Sequence, residues 1–96
     1  MRVVYTDEAL RDLADIAVWL AHHYPTIGPA VERRIKRAVA HIARWPSSAR
    51  RVLDRPDVRA LPLGRYPYQI FYRINGDTIE ILHIHHAARQ PWTSED

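Results

Sequence analysis

An α+β fold with the order β-α-α-β-β-β, a helical hairpin packed on one sheet, is what this sequence predicts, and three observations carry the prediction. Apolar residues recur at helical spacing in two stretches, separated by Pro25 and Gly28-Pro29. From Val58 the chain turns to Ile, Tyr and Val in extended patterns. Asn75-Gly76 then falls between two such runs, and that dipeptide favours a tight hairpin.

Each element follows from local chemistry. Val3, Val4 and Tyr5 are a short β-prone opening. Thr6 followed by Asp7 and Glu8 reads as a helix start, because a hydroxyl caps free backbone N–H groups and acids suit the positive end of the helix dipole. Leu10, Leu13, Ile16, Ala17, Leu20 and Tyr24 then form one apolar stripe that Pro25 ends. Gly28-Pro29 opens a second helix, since proline is tolerated in a first turn, and Val31, Ile35, Ala38, Val39 and Ile42 make its buried face before Trp45 and Pro46 close it. Residues 46–56 lack a period, lie between two prolines and read as a loop. Three antiparallel strands are expected at Val58–Leu63, Tyr66–Ile74 and Thr78–His86.

An Asn75-Gly76 turn of type I′ pairs Ile74 with Asp77, Tyr72 with Ile79, Ile70 with Ile81 and Tyr68 with His83. Alternation directs these residues to the helices and leaves Gln69, Phe71, Arg73, Glu80, Leu82, Ile84 and His86 on the other face. That face is too apolar to be left wholly to water, so a partner is expected on it. Ala87 to Asp96 is a polar tail. At 96 residues the chain forms one domain, 1–96, with 87–96 as its tail.

Composition narrows the function. Cysteine is absent, which removes disulfides, thiolate metal sites and cysteine nucleophiles together. No apolar run approaches the roughly 20 residues that span a bilayer, and the first residues lack a signal peptide's apolar region, so a cytoplasmic, membrane-free protein is expected. The net charge of +3 rests almost wholly on arginine, with Lys36 the one lysine. Guanidinium groups suit phosphate or carboxylate, so this surface fits a nucleic acid or an acidic protein partner, with a base composition that favours arginine codons as the alternative source of the charge. The second helix concentrates this charge, with Arg33, Arg34, Lys36, Arg37 and Arg44 against Glu32. A solvated face or an acidic protein partner is the preferred reading there.

Three segments add a resemblance. Thr6, Ala9, Asp12, Leu13, Ile16 and Trp19 are similar to the opening signature of RelE/ParE toxins. Arg59-Ala60-Leu61 and Tyr66 to Ile74, with its tyrosine and isoleucine alternation, resemble that superfamily's second and third strands. Ile81-Leu82-His83-Ile84-His85-His86-Ala87-Ala88-Arg89-Gln90-Pro91 resembles the ParE-like ending, an aliphatic strand followed by His-x-x-Arg and a proline. The resemblance implies a bacterial type II toxin of the plasmid-stabilising kind, with an antiparallel sheet on a helical hairpin. It implies neutralisation by a cognate antitoxin, with Phe71, Leu82 and Ile84 offering docking ground, and interference with DNA gyrase when free. DNA contact is expected only through the antitoxin complex.

Two alternatives stand beside it. A RelE-like endonuclease acting on the ribosome would draw on Arg59, Arg65, Arg73, His86 and Arg89 for charge and proton transfer. Against that, the sheet region has no lysine, and Trp92 stands where RelE-like enzymes tend to carry a tyrosine. A family member without toxicity would serve only as an antitoxin-binding module. The gyrase reading needs no bond-making groups, and its contact residues are His86, Arg89 and Trp92, because aromatics and arginine dominate binding hot spots. No cofactor is expected. No metal is expected at His83, His85 and His86 either, since the one acid beside them in sequence, Glu80, alternates onto the face opposite His83 and His85.

Overall fold

The computed structural model describes residues 1–87, and the order of elements is β1 (Arg2–Tyr5), α1 (Asp7–His23), α2 (Gly28–Arg44), β2 (Arg50–Val52), β3 (Arg55–Pro62), β4 (Tyr68–Asn75) and β5 (Thr78–His86). Both helix starts follow the local signals. The Thr6 side chain accepts the Ala9 amide at 3.1 Å, and Pro29 sits in the first turn of α2. The five strands form one sheet in the order β1-β5-β4-β3-β2. β3, β4 and β5 are the antiparallel meander, and β1 joins its edge parallel to β5, so the sheet is mixed.

The main core lies between this sheet and the helices. α2 buries Val31, Ile35, Ala38, Val39 and Ile42 against Ile70, Tyr72, Ile79, Ile81 and Ile84. The contribution of α1 is narrower than its stripe suggests. Ala9 and Leu20 are buried and Leu13, Ile16 and Trp19 half-buried, whereas Leu10 is 52% and Tyr24 51% exposed. Positions 9, 13, 16 and 20 form the row that meets the sheet, and Leu10, Ala17 and Tyr24 lie one residue round the helix from it.

The 46–56 segment is not a loop throughout. Arg50–Val52 pairs antiparallel with β3, as Arg50 with Ala60 and Arg51 with Arg59. Arg-Arg-Val carries no alternation a sequence reading can use, and the segment is held from the sheet instead. Tyr72, wholly buried, donates its hydroxyl to the Pro46 carbonyl at 2.6 Å. Arg59, its cross-strand partner, donates to the carbonyls of Ala49 at 2.7 Å and Ser47 at 3.2 Å.

The hairpin register departs from expectation in two steps. The turn is centred on Gly76-Asp77, with Asn75 opposite Thr78 and Ile74 opposite Ile79. Gly76 has φ of 62° and, among the described residues, none other than glycine has positive φ, a pattern of the II′ kind, where only the first central residue needs that region. A bulge between Phe71 and Tyr72 then leaves Tyr72 opposite Ile81 but Phe71 opposite His83, making Leu82 the extra residue. Past it the faces exchange. Ile84 joins Ile79 and Ile81 beneath the helices, and His83 and His85 move to the side of Phe71.

Candidate functional site

The last strand carries most of the chemically capable side chains, and the bulge decides where they point. The N-cap residue of α1, Thr6, helps hold that bulge. The Thr6 hydroxyl lies 2.9 Å from the Ile81 carbonyl and 3.1 Å from that of Leu82, and the Thr6 amide donates to Ile81 at 3.0 Å. β1 ends at Tyr5, opposite Ile81, so the following stretch of β5 has an edge toward α1. Asp12 meets it. Its Oδ2 accepts the Ile84 amide at 3.0 Å, with His83 Nδ1 at 3.2 Å and His85 Nε2 at 3.8 Å. The expectation that His83 packs beneath the helices, with Glu80 as the only acid near the histidines, is therefore corrected on both counts. The extra residue turned His83 and His85 outward, and Asp12 comes from a distant helix.

His86, expected beside Glu80, lies instead on the helix side. Its ring meets that of Tyr68 edge-on at 5.5 Å between centroids. It lines a cleft of about 330 Å³ with Asp12, Asp15, Ile16, Trp19, Tyr68 and Ile84. The next residue is tied down, with the Ala87 amide donating to the Pro67 carbonyl at 2.7 Å. Arg89 and Trp92 lie outside the described residues.

The expected docking residues separate. Phe71 stays on the face away from the helices but is only 4% exposed, covered by Val58, Ala60, Val52 and Leu82 in a small second core. Leu82 is half-buried there. Ile84 is 1% exposed in the main core, so it offers no apolar ground at the surface. Two of the cations named for phosphate chemistry, Arg59 and Arg73, are also engaged. Arg59 holds the 46–49 segment. Arg73 pairs with Glu80 at 2.7 Å, with Asp57 at 3.9 Å. Arg65 is exposed in the β3–β4 connection.

A larger feature lies where the sequence showed only a helical hairpin. A groove of about 600 Å³ runs between α1 and α2, with Leu13, Ala14, Ala17, Leu20 and Ala21 on one wall and Val31 and Ile35 on the other. Pro25, Gly28 and Pro29 close one end, and Glu32 and Lys36 stand at the rim. Alanine at 14, 17 and 21 makes that wall of α1 shallow, so the helices leave open space rather than interdigitating. The alanines were the available signal, since a stripe of short side chains cannot fill a helix interface.

The family described as ParE toxin of type II toxin-antitoxin system, parDE, matches residues 3–91. The chain belongs to the ParE toxin family. A Sinorhizobium fredii protein named "Putative toxin Y4kP" is 37% identical over 91 residues, covering 93% of this chain and 91% of that protein. Among solved structures, the chromosomal ParDE system from P. aeruginosa is similar with a TM-score of 0.78 and 27% identity, over 90% of this chain and 95% of the other. The isolated E. coli RelE toxin matches with a TM-score of 0.69 and 15% identity, over 94% of this chain and 87% of that one, a likeness of fold. The ParE family thus accounts for the strand, helical hairpin and sheet. Among the described residues of this ParE-family chain, no helix is long and apolar enough to cross a membrane.

Proposed function

We propose that this chain is the toxin of a type II pair, held inactive by a cognate antitoxin that lays an amphipathic helix along the α1–α2 groove, and that the free toxin interferes with DNA gyrase in the cytoplasm. The observation that carries the antitoxin part is the groove itself, a trough of about 600 Å³ walled by apolar side chains between two helices. A helix that buries one apolar stripe needs a trough of this kind. The basic residues Arg33, Lys36 and Arg37 are exposed on the helix that forms one wall. An occupant with acidic residues flanking its apolar stripe would therefore be steered to it. This reading moves the docking ground from Phe71, Leu82 and Ile84, two of which are covered, to the helical hairpin.

The gyrase part rests on family and on where charge is spent. Arg59 and Arg73, two of the groups a ribonuclease would aim at phosphate, are committed to backbone carbonyls and to Glu80. A toxin that acts by binding asks nothing of them. Its contact residues are proposed to be His86, at the end of β5, with Arg89 and Trp92 beyond it.

The test follows incorporation of labelled thymidine and labelled amino acids in the minutes after the toxin is induced without its antitoxin. An early fall in DNA synthesis with translation continuing is expected. An early fall in translation would overturn the gyrase reading for the ribosome-dependent one, and growth without arrest would leave only an antitoxin-binding module.

A further inference from the structure

Two imidazole nitrogens and a carboxylate oxygen converge on the edge of β5, in an arrangement no part of the toxin reading uses. Asp12, His83 and His85 each offer one donor atom, and these atoms all lie within 4.8 Å of one another. The oxygen is 3.2 Å from His83 and 3.8 Å from His85. Four-coordinate zinc holds nitrogen and oxygen ligands at about 2.0–2.1 Å, which separates neighbouring donors by about 3.3 Å. The two distances from Asp12 Oδ2 bracket that value.

We propose that Asp12, His83 and His85 form a binding site for a divalent transition-metal ion, zinc foremost, with the remaining position open to water. The donor set suits the ion. Imidazole and carboxylate ligands are those zinc accepts when thiolates are absent, and two His on alternate strand residues share one face. Three protein ligands with one open position is also the usual arrangement of an exchangeable or reactive zinc site.

The surroundings are organised in advance. The Asp12 carboxylate is oriented by the Ile84 amide at 3.0 Å. An sp² oxygen has two lone-pair directions, so Oδ2 accepts that bond and still faces a cation. All three side chains are half-buried, at 24% for His83, 12% for His85 and 21% for Asp12, sheltered yet open to exchange with solvent. Metal binding requires His83 to carry its proton on Nε2 and His85 on Nδ1, opposite tautomers on one strand. The bulge at Leu82 creates the site, because without it both rings would lie beneath the helices. The ion would clamp α1 to β5 just before the 87–96 segment. This inference is independent of the gyrase proposal.

The experiment titrates zinc into the chelator-stripped full chain by calorimetry and repeats it with cobalt, whose four-coordinate complexes absorb strongly in the visible. One ion per chain, a melting temperature that rises with zinc and intense cobalt bands are expected. His85→Gln should weaken binding at least tenfold while the protein remains folded. A double His22→Ala, His23→Ala variant should bind as the wild type does. Asp12→Asn is the second ligand variant, since its amide oxygen still accepts from Ile84 yet carries no charge, and it too should lose zinc. Absence of binding up to roughly millimolar zinc would overturn the proposal. So would unchanged affinity in His85→Gln, or loss of binding in the His22, His23 variant.

Discussion

Asp12 on α1 and Ile84 on β5 are joined by a 3.0 Å hydrogen bond from the Ile84 amide to the Asp12 carboxylate, across 72 positions of sequence. Among the described residues, β1 ends opposite Ile81 and no strand continues beside Leu82–His86 on that side. The carboxylate does for β5 what a neighbouring strand would. Replacing it with alanine leaves a sheltered donor unsatisfied, which costs about 1–3 kcal/mol. Asp12→Ala should lower stability by that order in urea unfolding, and Asp12→Asn by less. Equal stability of Asp12→Ala and the wild type would remove Asp12 from the strand's support.

Thr6 has two duties, capping α1 through Ala9 and meeting the carbonyls of Ile81 and Leu82 around the bulge. Loss of a helix cap alone costs about 0.5–2 kcal/mol. Thr6→Ala should fall at the upper end of that range and Thr6→Ser should recover most of it, as read from denaturation midpoints.

Tyr72 should make stability depend on alkaline pH. Burial pushes its hydroxyl above the ordinary 10.0, opposed in part by a backbone hydrogen bond at Ala49 and by the charge of Arg59. The folded state therefore keeps its proton when the unfolded chain has lost it. The resulting stabilisation is complete below 10.0 and is lost as pH rises through the folded-state value. Tyr72→Phe should lower stability at neutral pH by about 1 kcal/mol, from the bond to Pro46, and make the decline above pH 10 shallower. Tyr5, whose hydroxyl burial also raises, should leave a residual slope in the variant. Identical alkaline profiles for the two proteins would contradict the assignment to Tyr72.

Gly76 tests the turn. A side chain there meets nothing within 4 Å, so any cost comes from its φ of 62°. Gly76→Val should destabilise by about 1–2 kcal/mol, the penalty for an L-residue in the left-handed region. Gly76→Asn, better tolerated at such angles, should cost less. A valine variant as stable as the wild type would show that the turn rearranges freely.

Ala17 tests the groove. It is exposed on the α1 wall, so Ala17→Glu should fold normally. A buried, unpaired charge in the complex should still weaken antitoxin binding at least tenfold, about 1.4 kcal/mol or more. Undiminished affinity, measured by calorimetry against the cognate antitoxin, would place the antitoxin elsewhere.

The parts of this protein that could be read along the chain are those set by neighbours in sequence. The Thr6 cap, the proline breaks, the apolar face of α2 and the limits of β5 all follow from local chemistry or short periodicities. The family resemblance was carried by such segments, and its β-α-α-β-β-β order holds among the described residues apart from the added strand at Arg50–Val52. What tertiary structure alone decided was the facing of β5. One extra residue at Leu82 exchanged the two sides of the strand, burying Ile84 and turning His83 and His85 toward Asp12. The apolar alternation of β5 does change phase at Leu82, from Ile79 and Ile81 to Ile84, but the facing of the strand arises from how two strands and the helix start at Thr6 satisfy one another's backbone groups. The segment 50–52 became a strand for a similar reason, since Tyr72 and Arg59 hold it to the sheet through its carbonyl neighbours. Strand period and helix stripe are properties of a chain with itself. Register, bulge and the meeting of Asp12 with two histidines depend on contacts between parts far apart in sequence, and packing had to choose them.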